Sequence, residues 1–187
     1  PGFDEFLRVA SEAHVAGLMS GKAGVLHLHL GDGARGLELV RRALDETELP
    51  ARVFHPTHVN RRKALFEEAL ALAKRGCTVD VTAFPVDDGE DAWSAAEAWE
   101  HYHASGAPPE RLTISSDAGG CLPTFDHDGR LCKMDVGSAH ALLDTVRALL
   151  ARGHALERVL PAFTLNIARH LRLVGSEESP YPIRLAT

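Results

Sequence analysis

The sequence predicts an α/β fold in which parallel strands are joined by helices. Short runs rich in Val, Ile and Thr alternate four times with longer stretches of helical periodicity, after one leading helix. The predicted strands start at about residues 24, 52, 77 and 111, and this repeated order is typical of parallel sheets. The 187 residues, 45% hydrophobic and 25% charged, fit a single domain over 1–187 with four strand–helix units.

Each element is predicted from the spacing of its apolar residues and from the residues that end it. Five helices are predicted, and four of them close on a glycine: 3–21, 36–49, 61–76, 91–106 and 137–153. A last helical stretch follows over about 155–174. Runs of β-branched residues predict four strands, over 24–30, 52–58, 77–83 and 111–117. The segment 118–135 is predicted as a long loop, and the tail 175–187 as loop or frayed chain.

Two architectures fit four strand–helix units. One is an open doubly wound sheet, and the other is half of an eight-stranded barrel, which in its complete form needs about 250 residues. Periodicity does not choose between them. No GxGxxG follows the first strand and no GxxxxGK[ST] occurs anywhere, so a nucleotide-binding sheet lacks its usual signature.

Charge and composition exclude several kinds of partner. The net charge is −6 and no Lys/Arg cluster is present, so we expect no nucleic acid partner. No apolar run approaches the roughly 20 residues that span a bilayer, so we expect no membrane partner. The three cysteines form no CxxC pair, which favours a reducing cytoplasm. The chain has no starting Met and no signal peptide, as expected of a segment from within a longer protein.

Residues of the metal-ligand type stand at the ends of three predicted strands: His29, His58 and Asp117. Sites in α/β folds form at the carboxyl ends of parallel strands, so these side chains are expected to meet. Two imidazoles and one carboxylate suit a divalent ion, with zinc first. The alternative is that the histidines are ordinary polar residues with backbone partners. Three ligand types at equivalent positions favour the metal site.

His27 leaves a question open. Strand alternation puts His27 and His29 on the same face, and an HxH pair commonly supplies two zinc ligands from a single strand. His27 could therefore complete a four-ligand site. It could equally lie deeper on that face with its ring hydrogen-bonded, and chemistry alone does not decide.

Two residues near these strand ends are candidates for contact with a substrate. Arg61 lies about one turn beyond His58, where its planar guanidinium could pair with a carboxylate; the alternative is a solvated basic patch with Arg62 and Lys63. Cys121 follows Asp117 after three small residues, which allow close approach of a ligand. No base stands at a fixed spacing from Cys121, so a small pocket-lining residue is favoured over a reactive thiol.

Several motifs together resemble a known family. They are Gly24-Val25, His29-Leu30-Gly31-Asp32, Pro56-Thr57-His58-Val59-Asn60-Arg61 and Ser115-Ser116-Asp117. The combination is similar to the isoaspartyl (β-aspartyl) dipeptidases of the metal-dependent amidohydrolase superfamily, and the similarity covers nearly the whole chain. It implies a hydrolase that removes the N-terminal isoaspartyl residue from dipeptides. It also implies that the chain is the second half of a (β/α)₈, or TIM-type, barrel.

The resemblance also implies roles for individual residues. His29, His58 and Asp117 match metal ligands, and Asp117 also matches the catalytic acid/base. Arg61 matches the residue that binds the substrate carboxylate. Cys121 stands where the family usually has a serine that contacts substrate, which puts substrate preference in question. The position of His27 is usually apolar in the family, which favours a packing role.

The family's remaining metal ligands have no counterpart in this chain. The complete enzyme holds a binuclear Zn²⁺ site with six ligands, whereas three are present here. We therefore expect a homo-oligomer, or association with a missing N-terminal half. Two alternatives remain: another amidohydrolase, dihydroorotase-like or deaminase-like, or a catalytically incomplete metal-binding half-barrel.

Overall fold

The structure, a computed structural model, describes residues 2–125, 128 and 130–173 of the chain. The predicted tail 175–187 lies outside these residues. The fold is mixed α/β, as predicted. Its helices are α1 (Phe3–Ser20), α2 (Glu38–Glu46), α3 (Lys63–Lys74), α4 (Ala95–Ala104), α5 (His140–Ala151), α6 (Leu156–Val159) and α7 (Leu165–His170). Its strands are β1 (Leu26–His29), β2 (Phe54–Thr57), β3 (Val79–Thr82), β4 (Leu112–Ser115), β5 (Cys121–Phe125) and β6 (Leu131–Val136).

Four of these strands form two parallel pairs. β1 pairs with β2, with His27 opposite His55 and His29 opposite Thr57. β3 pairs with β4. β2 and β3 contact each other, but within the described residues they share no backbone ladder. The carboxyl ends of all four strands therefore lie near one another, and the predicted alternation of the first four strands with helices is confirmed.

The four strands are shorter than predicted, and for β2 and β4 this is because their first residues form other structure. Ala51–Val53 and Pro109–Arg111 are 3₁₀ turns that lead into β2 and β4. The core lies between the strands and the helices that cover them. Its largest fully buried side chains are Trp99, Tyr102, Phe54, Phe66, Leu37, Leu65, Leu72, Leu112 and Leu149.

A glycine pair sets the path from α1 into β1. A Cβ on Gly17 would lie 2.5 Å from the Cα of Gly24, so neither position tolerates a larger residue without movement. Gly21 ends α1 in the left-handed conformation, with φ of 67°. The predicted helix boundary is thereby confirmed.

The prediction of a long loop over 118–135 is wrong. The segment contains β5 and β6, an antiparallel pair in which Cys121 lies opposite Val136. The Asp128-Gly129 dipeptide between two short apolar runs is a hairpin signal that the loop prediction did not take into account.

The last predicted helix is also interrupted. α6 ends at Val159, a 3₁₀ turn covers Leu160–Phe163, and α7 starts at Leu165. Pro161 explains the break, since it cannot donate the backbone hydrogen bond that a continuous helix needs. In the part of the chain that the structure describes, no helix is long and apolar enough to cross a membrane.

Candidate active site

The structure brings the three predicted metal ligands together. His29 is the last residue of β1, His58 directly follows β2, and Asp117 follows β4 by two residues. Nδ1 of His29 lies 3.0 Å from Nε2 of His58. The same Nε2 lies 3.9 Å from Oδ2 of Asp117. The predicted cluster at the carboxyl ends of the parallel strands therefore exists as a set of neighbouring side chains.

Strained backbone holds two of these three residues. His58 has φ of 63° and Asp117 has φ of 46°, in the left-handed region that side chains disfavour. Among the described residues other than glycine, Arg172 alone shares this feature. Such conformations cost of order 1–3 kcal/mol each and concentrate at functional sites. Because two of the three candidate ligands have this conformation, a role in a functional site is favoured for both.

Glycines around Asp117 leave room for its side chain and backbone. A Cβ on Gly120 would lie 2.6 Å from Oδ2 of Asp117, and a Cβ on Gly137 would clash with the Asp117 carbonyl oxygen. The backbone N–H of Gly120 donates to that carbonyl at 2.8 Å, which closes a tight turn. Gly120 and Gly137 are therefore required to make room for Asp117 itself, whereas the close approach of a ligand stays a prediction.

His58 is oriented by residues behind it. Its Nδ1 lies 2.8 Å from Oγ1 of Thr82, so Nε2 faces His29. Buried Asn60 fixes this region, since its side chain bonds the backbone N–H and carbonyl of Thr82 and the carbonyl of Trp93. Burial lowers the pKa of His58, and Asp117 opposes the shift. Imidazoles held by such outer partners are typical of metal ligands.

Arg61 does not belong to a solvated basic patch. It donates from Nη1 to the carbonyl of Leu30 at 2.7 Å, and its Nε lies 3.0 Å from Oδ1 of Asp32. The guanidinium therefore already faces one carboxylate, at the loop that follows His29. Sequence reasoning did not assign Asp32 a partner, although Asp32 belongs to the HLGD motif.

Cys121 is exposed at the start of β5, four residues beyond Asp117. The tight turn at Gly120 places it just after the candidate ligand. Nothing in the structure tests a contact between Cys121 and a substrate, so that role stays a prediction.

His27 lies two residues before His29 on the same strand face, and its ring is hydrogen-bonded, although both histidines are exposed. Its Nδ1 lies 3.1 Å from Nδ1 of His55, and its ring meets the ring of His29 edge-on at 4.8 Å. His55 in turn contacts Oγ1 of Thr113 at 3.0 Å. These contacts favour the packing role for His27 over a fourth ligand position.

Sequence reasoning missed two histidines below His27: buried His55, which contacts His27, and half-buried His170, which contacts His55. Burial lowers the pKa of His55 to about 2 and that of His170 to about 4. Their rings lie 4.6 Å apart between centroids. Both are therefore neutral at pH 7. His55 lies in β2 and His170 lies in α7, so the sequence gives no signal that the two rings meet.

Sequence reasoning also missed Asp80, which lies in β3 and is only 3% exposed. Its carboxylate accepts hydrogen bonds from Thr57 at 2.6 Å, from Thr113 at 2.6 Å and from Ser115 at 2.5 Å. A buried carboxylate needs such partners, since an unpaired one is costly. The signal in the sequence is the single Asp in the buried run Val79-Asp80-Val81.

The donor chemistry of the cluster suits zinc, although a complete ligand cage is not present. Two imidazole nitrogens and a carboxylate oxygen are a common catalytic zinc set, which leaves one position for water or substrate. Over residues 2–125, 128 and 130–173, no group of three or more His, Cys, Asp or Glu side chains is arranged so that it could hold a metal ion. His29 and His58 lie within hydrogen-bonding distance of each other.

Comparison with known proteins gives a consistent result. No family model matches the chain. A β-aspartyl dipeptidase from the thermophilic keratin-degrading Fervidobacterium islandicum AW-1, in complex with the β-Asp-Leu dipeptide, is 38% identical with a TM-score of 0.84. A second structure of β-aspartyl dipeptidase from that organism is 35% identical with a TM-score of 0.78. Both matches cover 92% of this chain.

These matches cover only part of the solved enzymes, 45% of the first and 42% of the second. The shares are consistent with a C-terminal half. The resemblance predicted from the sequence is thus confirmed: the chain is a relative of the β-aspartyl dipeptidases, and it spans less than half the length of the two solved enzymes.

Proposed function

We propose that this chain supplies the second half of the barrel of a metal-dependent dipeptidase that removes N-terminal isoaspartyl residues from dipeptides. The convergence of His29, His58 and Asp117 at the strand ends carries the proposal. It occurs in a chain 38% identical to a dipeptidase in complex with β-Asp-Leu. The three free cysteines suit a reducing compartment such as the cytoplasm.

His29, His58 and Asp117 would hold zinc. When bound, zinc supplies a Lewis acid for the amide carbonyl and lowers the pKa of water. The carboxylate of Asp117 would accept the proton of the attacking water and pass it to the leaving amine. Thr82 would keep the His58 ring oriented throughout.

Substrate binding would fall to Arg61 and Cys121. The guanidinium of Arg61 has N–H groups beyond those that face Leu30 and Asp32, and these could hold the α-carboxylate of the dipeptide. Asp32 would limit the freedom of the Arg61 side chain and so fix the position of the substrate. Cys121 would line the pocket behind Asp117.

The experiment is hydrolysis of β-Asp-Leu and of the α-linked Asp-Leu by the purified protein with zinc. Cleavage of the β-linked peptide alone is expected. Turnover of a cyclic amide such as dihydroorotate, or deamination of a base, would instead assign another amidohydrolase activity. Bound zinc without any turnover would favour the catalytically incomplete half-barrel, because only three ligands converge here.

Arg61→Lys should raise KM for β-Asp-Leu about tenfold with a smaller change in kcat. Lysine carries a point charge, whereas the planar guanidinium of arginine can bind the substrate carboxylate through two hydrogen bonds, in the ground state as well as in the transition state. Arg62→Lys is the matched control, since Arg62 donates to the carbonyl of Gly33 and has no proposed substrate contact. An unchanged KM in Arg61→Lys would remove Arg61 from the substrate site.

The strand edges suggest a partner. Among the described strands, β1 pairs only with β2 and β4 only with β3, which leaves an open edge on each. On α1, Leu18 is 61% exposed and Met19 is 86% exposed. Open edges and exposed apolar residues invite association, either with a second copy or with the rest of an enzyme barrel.

Light scattering at micromolar concentration should therefore show the isolated chain as an oligomer. Leu18→Glu should shift it toward monomer because the charge would be buried on association. Ala151→Glu, which adds the same charge at a small exposed residue at the end of α5, is the control expected to have no effect. A monodisperse wild-type monomer would contradict this proposal.

A further inference from the structure

We infer that Asp80 is a positioning residue that sets the spacing between His58 and Asp117. The inference rests on the proposed function, because it assigns Asp80 a purpose in the same site. Asp80 touches neither candidate ligand in its hydrogen bonds. Asp80 instead bonds β2, which precedes His58, and β4, which precedes Asp117; these strands lie on either side of β3.

The hydrogen bonds of one carboxylate oxygen make this link. Oδ2 of Asp80 accepts from the hydroxyl of Thr57 at 2.6 Å and from the hydroxyl of Ser115 at 2.5 Å. Thr57 directly precedes His58, and Ser115 lies two residues before Asp117. A single buried atom is thus tied to the ends of β2 and β4.

The hydrogen bond from Thr57 to Asp80 matters because no backbone pairing holds β2 beside β3 in the described residues. β3 and β4 are held in register by their own ladder, with Thr82 opposite Ser115. β2 and β3 have no such ladder within the described part of the chain. Side chains therefore hold them together at this end: Thr57 to Asp80, His58 to Thr82, and Asn60 to the backbone of Thr82.

The second oxygen of Asp80 prevents the carboxylate from turning. Oδ1 accepts from Thr113 at 2.6 Å, and the Thr113 hydroxyl oxygen also lies 3.0 Å from Nε2 of His55. A carboxylate that accepts from three hydroxyls forms charge-assisted hydrogen bonds, which are stronger and shorter than neutral ones. Asparagine at this position would present an N–H group to one of these hydroxyls, and that hydroxyl could then no longer donate its hydrogen bond to residue 80.

The test compares Asp80→Asn, Thr57→Val and Ser115→Ala with wild type, using two measurements on the metal-free and Co²⁺-loaded protein. The first is the ring ¹⁵N chemical shifts of His29 and His58 without metal, which report their mutual hydrogen bond. The second is the Co²⁺ dissociation constant. Thr145→Val is the matched control, since this buried hydroxyl bonds only its own helix at Ala141.

We expect Asp80→Asn and Thr57→Val to move the His58 ring signals and Ser115→Ala to leave them. All three should weaken Co²⁺ binding by about 10- to 100-fold, the range for outer-shell residues. Thr145→Val should change neither measurement. Thr57→Val and Ser115→Ala each remove a single hydrogen bond to Asp80. If Asp80→Asn does not fold, these two variants test the positioning role.

The opposite result is a purely structural Asp80. Tm would then fall in Asp80→Asn and Thr57→Val, while the His58 ring signals and Co²⁺ affinity of the folded variants stay at wild-type values. That outcome overturns the inference. If the ring signals move as expected but wild type binds no Co²⁺, the positioning role stands and the metal in the proposed function is wrong.

Discussion

Asp117→Asn is expected to lower kcat for β-Asp-Leu by about 10²- to 10⁴-fold, the contribution typical of a positioned general acid or base. The asparagine amide keeps the shape of the side chain but cannot take a proton from water. KM should change less, because the proton transfer takes place only in the chemical step. Steady-state kinetics in the active enzyme measure both quantities.

Asp117 is also a candidate zinc ligand, so its two roles must be separated. Metal content measured on the same Asp117→Asn sample does this: retained zinc with lost turnover assigns the proton transfer to Asp117. Asp144→Asn, an exposed carboxylate on α5, is the control and should retain full activity. Wild-type kcat in Asp117→Asn would refute the proton-transfer role.

The candidate ligands could be predicted from local sequence because they depend on simple rules. The runs of β-branched residues place His29 and His58 at the ends of predicted strands. Repeated strand–helix units then bring the carboxyl ends of parallel strands to a common edge of the sheet. Asp117 follows by the same rule. No knowledge of specific pairings was needed, which is why the three side chains meet in the structure as expected.

The supporting contacts could not be predicted in this way. Asp80 bonds residues 23, 33 and 35 positions away, and Arg61 reaches Asp32 over 29 positions. Each contact depends on which strand lies beside which, and on the register between them. The left-handed backbone at His58 and Asp117 is likewise set by tertiary structure: His and Asp adopt this conformation more often than most residues, but the sequence does not say which His or Asp will do so.

His58→Ala is expected to abolish zinc retention after dialysis. His58 is the central member of the cluster: its Nε2 lies 3.0 Å from His29 and 3.9 Å from Asp117. Its removal leaves one imidazole and one carboxylate, fewer than the three protein ligands of a catalytic zinc site. The loss of affinity should exceed the roughly 100-fold upper range for outer-shell residues.

Elemental analysis of the dialysed protein measures the retained zinc. His14→Ala on α1 is the control and should retain zinc as wild type does. His27→Ala is the informative comparison, since His27 hydrogen-bonds His55 and meets the cluster through an edge-on ring contact with His29. It should weaken zinc binding far less than His58→Ala. An equal loss in both variants would restore His27 as a fourth ligand. Full retention in His58→Ala would mean that other residues hold the ion, and the proposed centre would be wrong.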